Sequence, residues 1–407
     1  MTSAAPHPRI PVAIIGAGPA GLLLAQLLAR RGIASVVLER TSRERVEERI
    51  RAGVLEQPTV DTLREAGVGE RLAREGIVHH GIELRFGNAA FRVDFRSLVP
   101  GRNITVYGQR EVVRDLIAAR LADATAAPNH LRFEVSELEL SGLERDQPQL
   151  TFTQSGQRQQ LSCDWVVGCD GYHGVSRGWF PAGAARQYEH VFPFAWLGVL
   201  AGVPPSSQEL IYARHERGFA LHSMRSPELS RFYLQVAPGE DPNAWSEERI
   251  WSELRTRLET VPGWQLRSGA ILEKSVTAMR SFVHEPMRYR RLCLAGDAAH
   301  IVPATGAKGL NLAIADVRRL SAALGAWFET DSERQLDEYS ATCLQRVWRV
   351  QHFSFWMTRL LHTLPADDAF ERRVQLAQLE AVAQSRAAAT VLAENYVGLE
   401  PARRSAG

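Results

Sequence analysis

A glycine-rich turn near the start of the chain, Gly-Ala-Gly-Pro-Ala-Gly at residues 16–21, constrains the fold more than any other feature. A short apolar run at residues 12–15 precedes this turn, and residues 22–31 after it carry apolar side chains at helical spacing. A second apolar run, at residues 35–38, leads directly into Glu39, 18 residues after the last glycine. This order predicts a Rossmann-like βαβ unit that binds the pyrophosphate of a dinucleotide.

Each residue of the turn has a separate physical task in such a unit. Gly16 permits the tight turn, Gly18 lets the backbone approach a phosphate, and Gly21 lets the helix pack closely on the sheet. The helix N-terminus offers free N–H groups to the phosphates. Glu39 is expected to accept a hydrogen bond from a ribose hydroxyl. The alternative is a glycine-rich turn in some other α/β fold.

Two later segments repeat the pattern of a strand followed by a glycine turn. Residues 165–168 lead into Cys-Asp-Gly at 169–171, and residues 291–295 lead into Gly-Asp-Ala-Ala-His at 296–300. Asp170 and Asp297 are therefore expected at the C-terminal edge of the same sheet, where a ligand would cross it. The nucleotide-binding domain is predicted to be discontinuous.

The patterns of apolar and polar residues in the rest of the chain predict its remaining organisation. Short alternating runs between residues 192 and 280 are typical of antiparallel strands. Residues 310–393 are helical in pattern, with breaks near Asp331 and Pro365. The predicted class is α/β (α+β overall), a Rossmann-like domain with an inserted antiparallel-sheet domain and a C-terminal helical region. The expected divisions are 1–76, 105–185 and 286–345 for the nucleotide domain, 77–104 and 186–285 for the sheet domain, and 346–407 for the helical region.

Composition excludes several functional classes. The formal charge of +2 gives no reason to expect a nucleic-acid partner. The four Cys form neither a CxxC pair nor a regular framework, so they are expected to be reduced thiols of a cytoplasmic protein without a metal site. No run reaches the roughly 18–20 apolar residues of a membrane helix. The first eleven residues lack the apolar segment of a secretory signal.

The three glycine turns together resemble those of the single-component flavin-dependent aromatic hydroxylases, which hold FAD on a nucleotide-binding fold. Within that family the chain is similar to the 4-hydroxybenzoate 3-monooxygenases, from about residue 12 to residue 399. The strings that carry this resemblance lie at residues 49–57 (RIRAGVLEQ), 105–109 (TVYGQ), 209–213 (ELIYA), 306–311 (GAKGLN) and 394–399 (ENYVGL).

The resemblance implies a reaction. NAD(P)H reduces FAD, the reduced flavin captures O2 as a C4a-hydroperoxide, and one oxygen is transferred to the ring carbon ortho to the phenol, which gives 3,4-dihydroxybenzoate. Ala304 stands where the family has a proline, so a related substrate, 3,4-dihydroxybenzoate or 4-aminobenzoate, is an alternative. Two further alternatives are a flavin oxidase or dehydrogenase on the same fold and a non-catalytic FAD-binding sensor.

The resemblance also implies roles for residues around the substrate. Ser223, Arg225 and Tyr233 are expected to bind its carboxylate, since an arginine fork and hydroxyls suit that group. Tyr212 and Tyr396 are expected to pass on the phenol proton, with His79 exchanging it with solvent, although His80 is an alternative. The remaining residues expected to line the pocket are Trp196, Leu210, Val54, Leu55, Ala304 and Thr305.

A further set is expected to hold the cofactor. Lys308 is one of two lysines against 46 arginines, which suggests a compact charge that favours anionic, reduced flavin. The full set of expected FAD contacts is Gly16, Gly18, Gly21, Glu39, Arg40, Arg51, Val54, Gln109, Asp170, Arg231, Asp297, Lys308, Leu310 and Asn311.

The pyridine nucleotide and a second subunit complete the expected partners. The residues expected near NADPH or NADH are Arg40, Arg43, Arg45, Arg49, His173 and Arg280. A solvated helix of alternating Glu and Arg over residues 42–50 is the alternative for Arg43, Arg45 and Arg49. A homodimer is expected through an aromatic-rich helix, with core packing as the alternative; its residues are Trp348, Phe353, Phe355, Trp356 and Met357.

Overall fold

The computed structural model describes residues 9–49, 53–126 and 130–398, which form three sheets. The strands, numbered along the chain, are β1 (Arg9–Ile15), β2 (Ser35–Leu38), β3 (Val54–Glu56), β4 (Ile77–His79), β5 (Gly81–Phe86), β6 (Ala89–Asp94), β7 (Ile104–Val106), β8 (Leu131–Arg132), β9 (Ser136–Ser141), β10 (Gln149–Gln154), β11 (Gln157–Gly168), β12 (Arg186–Gly202), β13 (Ile211–Arg214), β14 (Ala220–Ser226), β15 (Leu229–Val236), β16 (Ala270–Glu285), β17 (Arg288–Tyr289), β18 (Leu292–Leu294) and β19 (His300–Ile301).

The α-helices cover the sheets and fill the C-terminal part of the chain. They are α1 (Pro19–Ala29), α2 (Arg43–Glu48), α3 (Gln57–Glu65), α4 (Glu70–Glu75), α5 (Phe95–Leu98), α6 (Gln109–Leu121), α7 (Glu247–Leu258), α8 (Gly309–Thr330), α9 (Arg334–Leu361), α10 (Ala369–Gln384) and α11 (Arg386–Val397).

The first sheet has a parallel centre in the order β18-β11-β1-β2-β8, with β17 antiparallel at one edge and β9 and β10 attached to the first half of β11. Its middle strands are apolar on both faces because helices cover both. Ile15 pairs with Gly168, and Gly168 pairs with Leu294. The three glycine turns therefore leave the same edge of the sheet, as the sequence predicts.

The second sheet has the order β19-β16-β12-β15-β14-β13-β5-β6 and is antiparallel except between β13 and β5. Alternate residues of one strand serve different layers. Trp196 faces a cluster that includes Leu392 and Tyr396, whereas Leu197 faces a cluster that includes Leu254 of α7. One face thus looks toward the C-terminal helices and the other is sealed by α7. The third sheet, β3-β7-β4, is small and antiparallel.

The structure extends two predicted elements and divides another. The alternating pattern covers only part of β12 and β16, which continue to 17 and 16 residues and pair with each other along most of their length. The helical region breaks at Asp331 and before Ala369, and again at Ser385, which the sequence did not predict. Ser385 ends α10 and caps α11, where its hydroxyl accepts from the Ala388 N–H at 3.3 Å. Nowhere in the described part of the chain does a helix combine the length and apolarity that a membrane span needs.

Candidate active site

The first glycine turn forms a cradle with space for a phosphate. Gly16 has φ +103°, and a Cβ there would lie 2.6 Å from the carbonyl oxygen of Cys169. A Cβ on Gly21 would lie 2.0 Å from the carbonyl oxygen of Gly16. At Gly18, in contrast, a Cβ would meet nothing within 4 Å, and no side chain caps the helix that starts here. The N-terminus of α1 therefore has free N–H groups and open space, which fits a pyrophosphate.

Glu39 is held toward this cradle by the residues on both sides of it. One carboxylate oxygen accepts from the Ala17 N–H at 2.8 Å, and the other accepts from the N–H and hydroxyl of Thr41 at 2.9 and 2.8 Å. These bonds fix the carboxylate orientation beside the glycine turn. The oxygen that accepts from Ala17 keeps a lone pair for a ribose hydroxyl.

The second and third turns are joined by Arg177, which the sequence did not single out. Its guanidinium donates to the carbonyl oxygens of Gly171 at 3.3 Å and Ala298 at 3.0 Å. Asp170 serves the same loop, because its carboxylate accepts from the N–H and hydroxyl of Ser176 at 2.9 and 2.5 Å. A direct contact of Asp170 with the cofactor stays a prediction. Asp297 lies half-buried on the third turn.

A buried His–Asp pair is hydrogen-bonded to the backbone of the third glycine turn. One carboxylate oxygen of Asp316 accepts from the Gly296 N–H at 3.0 Å and lies 2.6 Å from Nε2 of His300. Burial opposes protonation of His300, but the adjacent Asp316 carboxylate outweighs it and raises the His300 pKa. No motif marked Asp316, which reaches the turn only because α8 packs beneath it.

Lys308 is fully buried and paired within the protein. Its ammonium donates to Oε1 of Glu56 at 2.7 Å and to the carbonyl oxygen of Tyr396 at 2.7 Å, while Arg346 lies 3.2 Å from the other Glu56 oxygen. Burial lowers the Lys308 pKa, although Glu56 acts in the opposite direction. The charge that the sequence suggested for the flavin is thus shared with Glu56, and its effect on the flavin stays a prediction.

Asn311 uses its whole side chain inside the protein. Its amide oxygen accepts from the Glu56 N–H and the Thr59 hydroxyl, and its amide nitrogen donates to the carbonyl oxygens of Val54 and Ala307. A side-chain amide has two N–H donors and two oxygen lone pairs, so the Asn311 side chain has no donor or acceptor left for a ligand. Any contact of this segment with a flavin must come from its backbone or from Leu310.

The other expected cofactor contacts occupy several places. Val54 is buried on β3, Gln109 begins α6, and Arg51 lies outside the described residues. Arg40 is exposed, immediately after Glu39. Arg231 is buried on β15, where its guanidinium lies 3.3 Å from the Glu273 carboxylate.

The substrate carboxylate site has a partly buried cation with spare donors. Arg225 donates from Nη1 to the Met224 carbonyl oxygen at 2.9 Å and to the Ser223 hydroxyl at 3.4 Å. Its Nε is buried without a hydrogen-bond partner, and no carboxylate of the described residues forms an ion pair with it. Burial lowers the Arg225 pKa, while Tyr233 raises it. A guanidinium with one buried, unpartnered N–H and no counterion is unfavourable, so the arrangement fits an anionic ligand.

Two buried tyrosines meet as the resemblance implied. The hydroxyls of Tyr212 and Tyr396 lie 2.5 Å apart, and burial raises the pKa of both phenols. His79 is 1% exposed, and neither of its ring nitrogens has a partner among the described residues. Burial lowers the His79 pKa to about 4. Phe95 connects the tyrosine pair with the segment that carries His79. Its ring stacks on Tyr396, and its N–H donates to the carbonyl oxygen of His80, the residue after His79, at 2.7 Å. His80 is half-buried.

The expected apolar wall is largely buried. Trp196, Leu210 and Leu55 are each less than 5% exposed. Thr305 is fully buried, with its hydroxyl 2.9 Å from the Thr358 hydroxyl, whereas Ala304 is exposed. His362, which the sequence analysis missed, contacts Trp196 directly: the Trp196 indole N–H donates to His362 Nε2 at 2.7 Å.

The residues expected near the pyridine nucleotide fall into two groups. His173 and Arg280 both contact the ring of Tyr172, at 5.0 and 4.8 Å. Arg43, Arg45 and Arg49 are exposed on or beside α2, a helix without a buried residue. Arg43 pairs with Glu47 at 2.5 Å, which matches the solvated-helix alternative. A coenzyme role for either group stays a prediction.

Comparison with known proteins establishes the class. A model of the FAD binding domain matches residues 9–354, so the chain is a flavoprotein whose cofactor is FAD. The chain is 48% identical over 388 residues to p-hydroxybenzoate hydroxylase of Acinetobacter baylyi, which covers 95% of each chain. It is 28% identical over 321 residues to 3-(3-hydroxy-phenyl)propionate/3-hydroxycinnamic acid hydroxylase 2 of Burkholderia vietnamiensis, which covers 77% of this chain and 56% of that protein. The chain belongs to the p-hydroxybenzoate hydroxylase family of FAD-dependent aromatic monooxygenases.

Solved structures support the fold. The crystal structure of p-nitrophenol 4-monooxygenase from Pseudomonas putida matches with a TM-score of 0.82 at 19% identity, covering 97% of this chain and 100% of that one. A ternary complex of aklavinone-11 hydroxylase with FAD and aklavinone matches with a TM-score of 0.74 at 21% identity, covering 88% and 70%. The predicted fold class and enzyme class are confirmed. The domain limits predicted from sequence remain a prediction.

Proposed function

We propose that this enzyme hydroxylates 4-hydroxybenzoate at C3 to give 3,4-dihydroxybenzoate, with FAD as cofactor and NADPH or NADH and O2 as co-substrates. The observation that carries the proposal is the partly buried Arg225 guanidinium, whose Nε is buried without a partner and which has no counterion among the described residues, on the face of the sheet that also presents Tyr212. A benzoate with a para hydroxyl has one anionic end for Arg225 and one acidic end for Tyr212. The relative that shares 48% identity is named for this substrate.

The carboxylate end fixes where the ring lies. Arg225 supplies the charge, and the Ser223 hydroxyl beside it, which donates to the Arg231 carbonyl oxygen at 3.0 Å, keeps a lone pair toward the guanidinium. Tyr233 contributes a further hydroxyl near Arg225. Charge-assisted hydrogen bonds to one rigid carboxylate set both position and orientation, which places the opposite end of the ring.

The phenol end needs a route for a proton. A phenol has a pKa near 10, and its ionised form is the better nucleophile. Because burial keeps Tyr212 and Tyr396 protonated, each hydroxyl can accept one proton while it donates another, and the proton moves from substrate to Tyr212 and then to Tyr396. His79 is neutral at pH 7, with a ring nitrogen free to accept the proton.

When bound, FAD supplies the redox chemistry between the reduced pyridine nucleotide, O2 and the aromatic ring. Gly18 and the start of α1 would hold its pyrophosphate, and Glu39 would hold its ribose. The buried wall of Trp196, Leu210 and Leu55 excludes water from the place of reaction.

The test is oxidation of NADPH and of NADH by the FAD-loaded enzyme with and without 4-hydroxybenzoate, with 3,4-dihydroxybenzoate quantified per coenzyme consumed. We expect strong stimulation by the substrate and close to one product per coenzyme. Stimulation without product would contradict the assigned reaction, and the same assay on 4-aminobenzoate and 3,4-dihydroxybenzoate would then identify the substrate. Labelled oxygen from O2 in the product distinguishes a monooxygenase from an oxidase.

We further propose that a second copy of the chain docks on an apolar groove of about 690 Å³ between α9, α10 and the ends of β12 and β16. Phe370 is 76% exposed here and Trp348 41%, and Phe355 is also exposed. An exposed apolar groove of this kind is typical of a protein–protein interface. The expectation that Phe353 and Met357 belong to this face is wrong, because both are buried in the core.

Sedimentation velocity of the wild type and of Phe370→Asp tests the homodimer. We expect a dimer for the wild type and a folded monomer for the variant. Leu121→Asp, an equally polar change at an exposed leucine on α6, is the control and should remain dimeric. A monomeric wild type would refute the proposal.

The cytoplasm is the compartment that we propose, because all four cysteines of the chain are free and buried. Fractionation of the source cells with a tagged copy tests this assignment. Recovery of the tag outside the cytoplasmic fraction would contradict it.

A further inference from the structure

His362 ends α9 in a fully buried position and uses both ring nitrogens. Nε2 accepts the Trp196 indole N–H at 2.7 Å, and Nδ1 lies 2.9 Å from the Thr358 carbonyl oxygen. An indole N–H can only donate, so Nε2 carries no proton and Nδ1–H is the donor to Thr358. The imidazole is therefore neutral and held in one tautomer and one orientation.

The surrounding rings fix the same geometry. The imidazole stacks on Phe194 at 4.4 Å with an interplanar angle of 17°, and Phe219 lies 4.3 Å away. The Trp196 indole stacks on Phe219 at 5.2 Å and 16°. Stacking alone lets the indole slide or turn within its plane, and the hydrogen bond that the indole N–H donates to His362 removes that freedom.

The fixed orientation of the Trp196 indole also affects the carboxylate site. Its ring lies 4.9 Å from the ring of Tyr233, which in turn contacts Arg225. Trp196 and Tyr233 occupy neighbouring strands of the second sheet, where Gly198 pairs with Tyr233. A rotated indole would therefore press on the tyrosine that completes the carboxylate site.

We infer that His362 is a positioning residue for substrate binding: through the Trp196 indole it holds the pocket wall and Tyr233 in the arrangement that receives the benzoate. The inference rests on the proposed function, since that assigns the pocket. His362 contacts neither the reacting atoms nor the carboxylate site itself.

The backbone of His362, and not its side chain, makes the hydrogen bonds that end α9 and connect it to α10. The His362 N–H donates to the Thr358 carbonyl oxygen at 3.1 Å, and the His362 carbonyl oxygen accepts from Gln375 at 2.7 Å. These bonds end α9 and join it to α10 whatever side chain stands at 362. The imidazole is needed only for its contacts with Trp196, Thr358 and the stacked rings.

Two amide substitutions separate the functions of the two nitrogens. In His362→Asn the amide can replace Nδ1–H but cannot reach the indole, and in His362→Gln the amide oxygen can take the place of Nε2. We would measure the Kd of 4-hydroxybenzoate from the absorbance change of the bound FAD in the holoenzyme, together with kcat and the melting temperature. The indole resonance of Trp196 in protein labelled with ¹⁵N-tryptophan, assigned with Trp196→Phe, reports the hydrogen bond itself.

We expect His362→Asn to raise the Kd about tenfold, which corresponds to about 1.4 kcal/mol, and to shift the Trp196 indole resonance. His362→Gln should stay within about threefold of the wild type. In a Trp196→Phe background the Asn substitution should change the Kd less than twofold, because the donor it serves is gone. FAD content and kcat for bound substrate should change far less than the Kd.

Three results would overturn the inference: an unchanged indole resonance in His362→Asn, an unchanged Kd with a lost hydrogen bond, or the same Kd effect in the Trp196→Phe background. A wild-type enzyme that does not respond to 4-hydroxybenzoate would instead refute the proposed function. The same cycle with benzoate, which keeps the carboxylate, would then decide the role of His362.

Discussion

Replacement of Arg225 by glutamine should separate substrate binding from every other property of the enzyme. The guanidinium donates from Nη1 to the Ser223 hydroxyl and the Met224 carbonyl oxygen, lies beside Tyr233, and leaves Nε buried without a partner among the described residues. Glutamine keeps a polar group near these partners but removes the charge that a carboxylate needs.

The size of the effect follows from this geometry. Breaking a buried, hydrogen-bonded ion pair by removing one partner costs about 3–5 kcal/mol, so the Kd of 4-hydroxybenzoate should rise by about 150- to 4000-fold. The free enzyme should behave differently. Because Arg225 has no counterion among the described residues, its removal relieves an uncompensated charge and should leave the melting temperature unchanged or raise it.

The assay is titration of the FAD-loaded variant with 4-hydroxybenzoate, followed by steady-state kinetics and thermal unfolding. Arg280→Gln is the matched control, because Arg280 lies beside Tyr172 and Glu189 and should alter only the KM of the pyridine nucleotide. A similar loss of FAD affinity and substrate affinity in Arg225→Gln, or a large drop in melting temperature, would refute the carboxylate role.

Three further predictions test other parts of the site. Tyr396→Phe removes the oxygen that lies 2.5 Å from the Tyr212 hydroxyl, so hydroxylation should fall at least tenfold at pH 7 while binding of the substrate carboxylate is preserved; full product yield would contradict the proton route. Gly21→Ala would place a methyl group 2.0 Å from the Gly16 carbonyl oxygen, so the purified variant should lack FAD, and a normal flavin content would contradict the role of the turn. Burial lowers the His79 pKa from 6.5 to about 4, so the unfolded chain binds this proton more readily; the contribution of His79 to stability is complete above pH 6.5 and falls as the pH approaches 4. At pH 5 the loss is about 2 kcal/mol, and urea unfolding at pH 5 and 7.5 should show a smaller pH effect in His79→Gln than in the wild type.

Local pattern determined the nucleotide-binding part of the fold. Residues 12–39 contain the strand, turn, helix, strand and acid in order, and the structure holds Glu39 beside the turn as this order requires. The period of two in a strand also put Ser223 and Arg225 on one face. These features depend on neighbours within a few residues, so they can be predicted from the sequence before the fold is known.

The resemblance added what pattern could not, chiefly the pairing of Tyr212 with Tyr396 across 184 residues. Pattern misjudged the extent of β12 and β16, because the first residues of β12 are largely exposed and lack the apolar alternation, while β16 continues alongside them by pairing. For Phe353 and Met357, where a dimer face and core packing were both open, the structure shows core packing. An apolar helix side looks the same in sequence whether a sheet or a second subunit covers it.

Only the tertiary structure decided which polar groups meet in the interior. Arg177 joins two turns about 120 residues apart in the chain, Lys308 meets Glu56 across 252 residues, and His362 meets Trp196 across 166. Sequence determined which segments form strands, turns and helices, because those depend on local spacing. The register of the sheets and the packing of α8 and α9 determined these distant partners, because a buried donor must find its acceptor among whatever groups the fold brings within hydrogen-bond distance.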